Sequence, residues 1–389
     1  MRVPVELSLA FGEPFEKLME SFAREAGLLA ENETINSPRF LSRSVVPHVE
    51  KLSEMFNRTE GEGLSPYWKA SSNPAHLRTA YFLYFMPCNL YRVAAVWAEL
   101  GRLGFKWKAG ESLRAIEFGA GPAAGATGVA AGEKFAKTGL HSSGSWALIE
   151  QDKAMLGIGS SWASRYFSDQ GFGGWGPRAF HRKIDPTKEF LPRNAPKFNL
   201  WVMSYFLNEF ENPPQKIARS LFDSLDRHLE EEGIVILVEP ALKQQSRKLL
   251  ELRRGLLEEK ERRKNHWLQI LLPCLGHQAC GALSDPEDWC HEEVSWWRPP
   301  YIRAIDSEAK LDRKTLPFSY LVLYRSEKAR EEILPFLAAI PAKERQRLVS
   351  PARAIGKNWE FYVCGQDGKR RVRGSTPDLE RGDILKMRL

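Results

Sequence analysis

The chain has 389 residues, of which 43% are hydrophobic and 27% are charged, with a formal net charge of +7 and five cysteines. These are ordinary globular values, which exclude a largely disordered or collagen-like chain, and no apolar run approaches the ~18 residues of a transmembrane helix. Because few cysteines suit a reducing compartment, and Glu6, Glu13 and Glu16 interrupt any secretory or transit peptide, we expect a soluble cytoplasmic protein that binds no membrane.

The first predicted region, residues 1–104, is helical. Its polar stretch at residues 57–66 contains Gly61, Gly63 and Pro66 and is typical of a loop or boundary. In residues 75–104 apolar side chains recur every three or four positions, which predicts one or two packed helices.

The second predicted region, residues 105–240, alternates short apolar runs with longer periodic segments. Runs typical of strands occupy residues 113–121, 145–152, 197–207 and 232–240. Strands that alternate with helices form a parallel sheet covered on both faces, so we expect an α/β fold with a Rossmann-like parallel sheet.

The third predicted region, residues 241–389, contains a basic helix, a Cys-rich stretch and short strands. Residues 243–264 hold nine Lys and Arg against four Asp and Glu, and residues 341–389 hold twelve against six. The remaining chain is slightly acidic, so the positive charge is local. A basic patch facing a polyanion and a solvated helix face or tail explain such runs equally well.

A glycine-rich turn follows the first predicted strand, with Gly119 and Gly121 ahead of a helix of small residues. Glycines at a strand-to-helix turn let the backbone approach a ligand, and the helix N-terminus offers free N–H groups. The pattern also suits a dinucleotide cofactor. Glu117 and Glu150 each end a strand, and Glu150 lies farther from the glycines than the ~20 residues of a dinucleotide fingerprint, which favours S-adenosylmethionine.

The predicted S-adenosylmethionine pocket extends to the ends of the following strands. Asp185 is a candidate for the adenine amino group, although an Asp before a Pro is at least as typical of a surface turn. Asn208 and Glu209 are the candidate catalytic residues, because ligands lie beyond the carboxyl ends of parallel strands; helix capping is the alternative. The predicted pocket comprises Glu117, Gly119, Ala120, Gly121, Pro122, Glu150, Gln151, Asp185 and Ser204.

Four of the five cysteines form a candidate metal site, and Cys88 is left over. Four thiolates are the complement for a cubane iron–sulfur cluster or a structural zinc. Zinc modules use closely spaced Cys pairs, whereas five residues separate Cys274 from Cys280. His277 and His291 keep zinc open as an alternative, and buried thiols that bind nothing would also explain the spacing.

The order of the motifs resembles a known family, the mitochondrial small-ribosomal-subunit methyltransferase-like assembly proteins and their bacterial relatives. The resemblance covers roughly residues 67–389 and rests on IEFGAGPAAG, LIEQDKAMLGIG, WVMSYFLNEF, IVILVEPAL, LLPCLGHQAC, DPEDWCHEE, PFSYLVLYR and YVCGQDGKRR. Two departures stand out: Ala123 replaces a usual glycine, which we expect to narrow the pocket, and the residues between Cys274 and Cys280 differ from the usual Pro-His-Asp-Gly-Pro filling.

This resemblance implies a class I methyltransferase-type fold with N-terminal helices and a C-terminal cluster-binding region. It implies that Cys274, Cys280, Cys290 and Cys364 ligate a 4Fe-4S cluster, and it places Glu117, Gly119, Gly121 and Glu150 in the S-adenosylmethionine pocket. The implied function is methylation or binding of small-subunit ribosomal RNA during ribosome assembly, by a monomer that contacts the RNA or the pre-small subunit. The alternative is a non-catalytic RNA-binding assembly factor with a vestigial or regulatory pocket.

Overall fold

The computed structural model describes residues 1–57, 73–108, 110, 112–356, 358–374 and 379–387. Its helices are α1 (Val5–Leu9), α2 (Glu13–Glu25), α3 (Pro38–Phe40), α4 (Val46–Asn57), α5 (Pro74–Ala80), α6 (Met86–Arg102), α7 (Ala124–Ala136), α8 (Lys153–Asp169), α9 (Pro214–His228), α10 (Lys243–Arg262), α11 (Pro300–Glu308) and α12 (Arg330–Ile333). Its strands are β1 (Leu113–Phe118), β2 (Ser143–Glu150), β3 (Gly174–His181), β4 (Phe198–Ser204), β5 (Leu229–Pro240), β6 (Leu268–Leu272), β7 (Glu292–Ser295), β8 (Thr315–Arg325), β9 (Arg345–Leu348), β10 (Arg353–Ile355), β11 (Asn358–Gly365), β12 (Gly368–Gly374) and β13 (Ile384–Lys386). The predicted boundary at residues 57–66 lies outside the described residues except for Asn57.

The central sheet has the strand order β3-β2-β1-β4-β5-β8-β6, and β7 pairs with the same edge of β8 as β6. Strands β1 to β5 run parallel to one another, whereas β8 runs antiparallel to β5. The α/β fold with a mostly parallel sheet is confirmed. The strand order reverses between β1 and β4, and ligands bind at the carboxyl ends of strands at such a switch point.

Alternation along the strands builds a core on each face of the sheet. Leu200 and Val202 of β4 join one core with α6, α7 and α8, whereas Trp201 and Met203 join the other with α9 and α10. Helix α6 is buried almost all round, since it packs between the sheet and the N-terminal helices. Both faces are therefore covered, as the run of apolar residues in each strand predicted.

A second, antiparallel sheet has the order β10-β11-β9-β13, with β12 on β11. The short strands predicted in the third region include the β11–β12 hairpin, which turns at Gln366-Asp367. Strands β6 and β8 complete the central sheet, so the predicted boundary at residue 240 divides one sheet rather than separating two domains. In the part of the chain that the structure describes, no helix is both long and apolar enough to cross a membrane.

Candidate functional site

The glycine turn joins β1 to α7 and has a left-handed backbone conformation at three residues. Gly119, Gly121 and Ala123 have φ values of 62°, 49° and 59°, in the left-handed region that favours glycine. The Ala120 N–H donates to the Ile149 carbonyl of β2 over 2.9 Å. A Cβ added to Gly119 would lie 2.5 Å from a ring carbon of Phe206, so this ring packs directly on the turn.

The buried carboxylate of Glu117 stabilises the turn. Its two carboxylate oxygens accept hydrogen bonds from the N–H groups of Gly125 and Ala126, each over 2.8 Å. These are amides of the first turn of α7, which lack a partner within the helix. Burial raises the pKa of Glu117 to about 8, against the opposing effect of the two N–H donors. Glu117 therefore organises the loop and does not stand open in a cleft.

Glu150 ties the end of β2 to the same turn. One oxygen accepts from the Gly121 N–H over 3.0 Å and the other from the Asp152 N–H over 2.8 Å. Burial raises the pKa of Glu150. Asp152 in turn caps α8 and receives two hydrogen bonds from Arg78 of α5. Glu150 is half-buried, so its carboxylate is closer to solvent than that of Glu117.

Two predicted pocket residues lie in different settings from the rest. Asp185 is exposed, and its carboxylate accepts from the N–H and hydroxyl of Thr187 and pairs with Lys188, which together lower its pKa to about 2. Asp185 therefore stabilises its own surface turn, as in the alternative interpretation of Asp185-Pro186. The neighbouring Ile184, and not Asp185, lines the small open space at the carboxyl edge of the sheet. Ser204, by contrast, is at the end of β4 with its hydroxyl buried and without a hydrogen-bond partner among the described residues.

Asn208 and Glu209 lie in a 3₁₀ turn after β4, and Glu239 of β5 fixes that turn. The carboxylate of Glu239 accepts from the N–H groups of Leu207, over 2.9 Å, and Asn208, over 3.1 Å. With its amide oriented to suit its neighbours, Asn208 also donates to Glu239 and to the Tyr205 carbonyl, each over 3.0 Å. Burial raises the pKa of Glu239 to about 8.

Sequence reasoning missed Glu239, although the signal was available. It ends a strand in IVILVEP as Glu117 and Glu150 end theirs, and all three carboxylates accept backbone N–H groups at the carboxyl edge of the sheet. Tyr205 was missed as well. It has a φ of 56°, a conformation that costs a non-glycine residue about 1–3 kcal/mol.

Two open spaces meet at this edge, and Glu209 lines both. The small cleft, lined by Gly119, Glu150, Gln151 and Phe206 among others, has a volume of about 30 Å³. The large cavity lies between α6 and the ends of β4 and β5 and has a volume of about 360 Å³. Pockets for cofactor-sized ligands measure roughly 300–1,000 Å³, so the small cleft cannot hold a whole nucleoside cofactor unless Phe206 moves or the ligand extends into the large cavity.

Ala123, the departure from the usual glycine, does not line either space. It is fully buried in the core on the α6 face of the sheet. The expectation that its methyl group narrows the pocket is therefore wrong, since the side chain points into packed apolar residues.

All five cysteines are free, and four of them line one space between the two sheets, which we call the cysteine cavity. Cys274 follows β6, Cys280 precedes a 3₁₀ turn, Cys290 precedes β7, and Cys364 lies in β11. Cys88 lies in α6 and lines the large cavity. The fold thus brings together the four predicted thiols from distant parts of the chain and leaves the fifth out.

Burial, together with the proximity of the other thiols, raises the pKa of Cys280, Cys290 and Cys364. A buried thiol remains protonated unless a cation replaces its proton. His277 is an unfavourable zinc ligand because its Nε2 accepts the Ile270 N–H over 3.1 Å. Within the described ranges, no three or more His, Cys, Asp and Glu side chains converge closely enough to hold a single metal ion.

Arginines hold the irregular segment that carries these cysteines. Arg253 of α10 donates to the carbonyls of Gly276, over 2.9 Å, and Gln278, over 3.0 Å. Arg247 of the same helix donates to three carbonyls between residues 282 and 288, and Arg330 donates to the Cys274 carbonyl. Arg253 is 2% exposed and lines the cysteine cavity.

Several arginines of the two basic segments form ion pairs within the fold. On α10, Arg254 pairs with Glu251, and Arg262 pairs with Glu259. In the C-terminal segment Arg347 is buried against Glu292 and Glu99. Part of the positive charge of the two basic runs is therefore paired within the fold.

A comparison with family models matches residues 78–386 to the family described as mitochondrial small ribosomal subunit Rsm22. No curated protein sequence matches this chain significantly. The matched range includes the glycine turn, the 3₁₀ turn with Asn208 and Glu209, and all four cysteines of the cysteine cavity.

Among solved structures, a putative class I S-adenosylmethionine-dependent methyltransferase from Listeria monocytogenes is similar at 8% identity, covering 80% of this chain and 88% of that one, with a TM-score of 0.36. A precorrin-6y C5,15-methyltransferase from Geobacter metallireducens is similar at 13% identity, covering 60% and 87%, with a TM-score of 0.33. An O-methyltransferase from Bacillus cereus is 8% identical over 80% of this chain and 100% of that one, with a TM-score of 0.30. These likenesses are too distant to bear on ligand or substrate.

Proposed function

The chain belongs to the Rsm22 family of mitochondrial small ribosomal subunit proteins, and from that premise we propose that it is an S-adenosylmethionine-dependent methyltransferase acting on small-subunit ribosomal RNA during ribosome assembly. The observation that carries the proposal is the carboxyl edge of the sheet. There the glycine turn and Glu150 face a 3₁₀ turn that holds Asn208 and Glu209, at the switch point of a parallel sheet.

In this proposal the small cleft holds the adenosyl end of the donor. Glu150 exchanges the Gly121 N–H for the ribose hydroxyls, and Gln151 and Ile184 line the adenine side. The Phe206 ring must move off Gly119 to admit the donor, and the methionine end reaches Glu209, where the methyl group faces the large cavity. Glu117 keeps the turn in place through the α7 amides, so its effect on donor binding is indirect.

S-adenosylmethionine, when bound, supplies a methyl group whose C–S bond breaks as the acceptor nitrogen or oxygen forms the new bond, leaving S-adenosylhomocysteine and releasing the acceptor proton. The methyl group is already activated, so the protein contributes mainly position. Asn208 is locked by Glu239 and Tyr205 and offers its amide oxygen to orient an acceptor N–H. Glu209 is placed between the two spaces to take the released proton.

We assign the cysteine cavity to a structural 4Fe-4S cluster. Support comes from its four free thiols, from the buried cation Arg253, and from the unpartnered Nε of that arginine. Four cysteine thiolates around a cubane cluster carry net negative charge, which a buried guanidinium compensates. A cubane cluster accepts thiolates that are more widely spaced than those around one zinc ion.

For the RNA we propose a contact surface on β3, beside the small cleft. Arg178 and Phe180 alternate along this edge strand and therefore share one face, and Arg182 follows directly after the strand. Phe180 is 49% exposed, and neither arginine forms an ion pair with a described residue. Exposed aromatic rings between unpaired cations suit single-stranded RNA, because bases stack on rings while cations contact phosphates.

The deciding experiment measures donor binding by calorimetry on protein prepared without oxygen, followed by transfer of labelled methyl to small subunits that lack the modification. We expect binding that Glu150→Ala weakens at least tenfold, and label in ribosomal RNA. Exposed Glu258 of α10 provides the matched control, Glu258→Ala, which leaves binding unchanged. Donor binding without transfer at any assembly stage contradicts the catalytic part of the proposal.

The second candidate is a non-catalytic assembly factor that binds RNA and keeps a regulatory pocket. It is favoured by the small volume of the cleft and by the Phe206 ring on Gly119. Under this alternative, Glu150→Ala leaves ribosome assembly intact, whereas Arg178→Ala with Arg182→Ala impairs it and lowers the salt dependence of RNA binding. The monomeric state and the cytoplasmic location stay predictions.

A further inference from the structure

The large cavity is built as a binding site, and its chemistry differs from that of the small cleft. Aromatic rings from three parts of the chain line it, those of Tyr81, Tyr205 and Trp289. Two arginines line it as well: Arg92, which is 4% exposed, and Arg313. Its volume of about 360 Å³ lies within the range of small-molecule sites.

Several polar groups of this lining lack a partner. The Nε of Arg92 and the Nε1 of Trp289 are buried donors without a hydrogen bond among the described residues. The Arg92 guanidinium lies 5.3 Å from the centre of the Tyr205 ring, and its Nη1 donates to Asn89 over 2.7 Å, so the unpartnered donor belongs to a fixed group. A buried donor left unpaired costs about 1–3 kcal/mol. These groups therefore suit a ligand that supplies acceptor oxygens.

The chemistry of the lining indicates the class of ligand. Guanidinium groups match phosphate oxygens in geometry and charge, and aromatic rings stack on the faces of bases. An unstacked nucleotide presents both features to an enzyme that must reach a base or its ribose. Glu209, which lines both spaces, then stands between the nucleotide and the small cleft.

One tripeptide connects this cavity to the cysteine cavity. Trp289 and His291 line both spaces, and Cys290 between them lines the cysteine cavity. Trp289 lies in a segment without regular structure, where few backbone hydrogen bonds fix its position. A bond from Cys290 to a cluster would anchor this segment at its centre. The positions of the Trp289 and His291 side chains, which form the wall shared by the two cavities, would then be fixed.

We propose that the large cavity is the methyl-acceptor site, which binds one unstacked nucleotide of the RNA, and that ligation of Cys290 fixes the Trp289–His291 wall that completes it. The inference rests on the proposed function for the identity of the polymer. It adds the position of the acceptor, the groups that hold it and a role for the cluster at a distance from the methyl group.

The test uses the full chain loaded with its cluster and measures binding of cytidine and uridine 5′-monophosphate, which do not share the adenosyl group of the donor. We expect binding that Arg92→Lys and Trp289→Leu each weaken about tenfold or more, the effect of losing a charge-assisted hydrogen bond or a stacked base. The controls are Arg303→Lys and Trp297→Leu, on an exposed pair outside the cavity, and they leave binding unchanged.

A second measurement compares cluster-loaded protein with protein stripped by a chelator, with folding checked by circular dichroism. Nucleotide affinity falls about tenfold on stripping if the wall depends on Cys290, while equal affinity in both forms overturns this part of the proposal.

Donor binding, measured separately, distinguishes the inference from the proposed function. If Arg92→Lys weakens S-adenosylmethionine binding and spares the monophosphates, the cavity belongs to the donor and the inference fails. Nucleotide binding without donor binding instead upholds the nucleotide site, contradicts the methyltransferase and overturns the assignment of the cavity as a methyl-acceptor site. Inorganic phosphate binding as tightly as the monophosphates marks a simple anion site and overturns the acceptor assignment.

Discussion

The carboxyl edge of the sheet and the cysteine cavity are held together in opposite ways. At the sheet edge, Glu117, Glu150 and Glu239 accept backbone N–H groups of adjacent turns, so residues close in sequence or on neighbouring strands fix one another. In the cysteine cavity, Cys274, Cys280 and Cys290 lie in segments without helix or strand. Arg253 and Arg330 reach across the fold to the carbonyls of the segment that carries Cys274.

The difference shows what each site needs. The sheet edge pairs its own donors and acceptors, and a ligand must displace one of them. The cysteine cavity brings four thiols and a buried guanidinium together, an arrangement that is costly while empty and favourable once a metal binds the sulfurs. Removing a metal ligand or a hydrogen-bond partner should therefore lower the free energy of unfolding more at the cysteine cavity than at the sheet edge.

The largest effect is expected from Cys364→Ser. Loss of one thiolate releases the cluster and leaves Arg253 buried without its counter-charge, which costs about 3–5 kcal/mol of unfolding free energy. Because Cys364 lies in β11, the second sheet separates from the segment 274–290, and both become sensitive to protease. Iron content, protease mapping and denaturant unfolding measure these changes.

Cys88→Ser is the matched control, since Cys88 lies outside the cysteine cavity. It keeps the iron content of the wild type. Equal protease resistance of the Cys364→Ser protein and the wild type would show that the cysteine cavity does not join the two sheets.

A smaller effect is expected from Arg253→Met. This variant keeps the apolar bulk but removes the donor to the Gly276 and Gln278 carbonyls, at a cost of about 2–3 kcal/mol for charge-assisted hydrogen bonds. Cluster retention during dialysis falls as well. On the same helix Arg254→Met removes an exposed pair with Glu251, worth less than about 1 kcal/mol. Indistinguishable iron loss from the two variants would contradict the role assigned to Arg253.

The contribution of the sheet edge to stability should depend on pH. The folded-state pKa values of Glu117 and Glu239, raised to about 8, lie above the unfolded value of 4.5. The folded protein then binds more protons than the unfolded chain between these values, so stability falls as pH rises through this window, by at most about 1.4 kcal/mol per pH unit for each group. Chemical unfolding from pH 5 to 9 measures the slope.

Glu239→Gln removes one of these titrations. The variant is less stable than the wild type near pH 5.5, because an amide nitrogen replaces one acceptor, and the difference shrinks or reverses by pH 8.5. Glu258→Gln, on an exposed residue of α10, leaves the slope unchanged. Parallel stability curves for wild type and Glu239→Gln would refute this origin of the slope.

The sequence predicted the parts of the fold that repeat a local pattern. Strands β1, β2, β4 and β5 are apolar runs between periodic helices, so their type and order followed from composition. Strand β3 was not identified because Gly174, Gly176 and Pro177 weaken its pattern and most of its residues are exposed at the sheet edge. What a residue contacts beyond its own element was not encoded in such patterns.

The same limit applies to the site residues. The four cysteines line one cavity, and their number and the family resemblance indicated a grouping that spacing could not, since Cys364 lies in β11 and Cys290 precedes β7. Their role as cluster ligands stays a prediction. The pairing of the basic runs could not be predicted either, since a charged residue carries no mark of whether it faces solvent or, like Arg253, a buried carbonyl.

The smallest effect is expected at Ala123, where the family usually has glycine. Its φ of 59° strains an alanine by about 1–2 kcal/mol, so Ala123→Gly relieves strain. The same change removes a buried methyl group worth about 0.8 kcal/mol and adds about 0.4–1 kcal/mol of unfolded-chain entropy. These terms nearly cancel, so the unfolding free energy changes by less than about 1 kcal/mol, and donor affinity is unchanged because the methyl group faces the core.

Gly119→Ala is the contrasting variant. Its new Cβ would meet the Phe206 ring at 2.5 Å, so it destabilises the turn by more than Ala123→Gly does. Calorimetry and denaturant unfolding of both variants measure the comparison, and a larger loss in Ala123→Gly would show that side-chain packing rather than backbone geometry sets the shape of the turn.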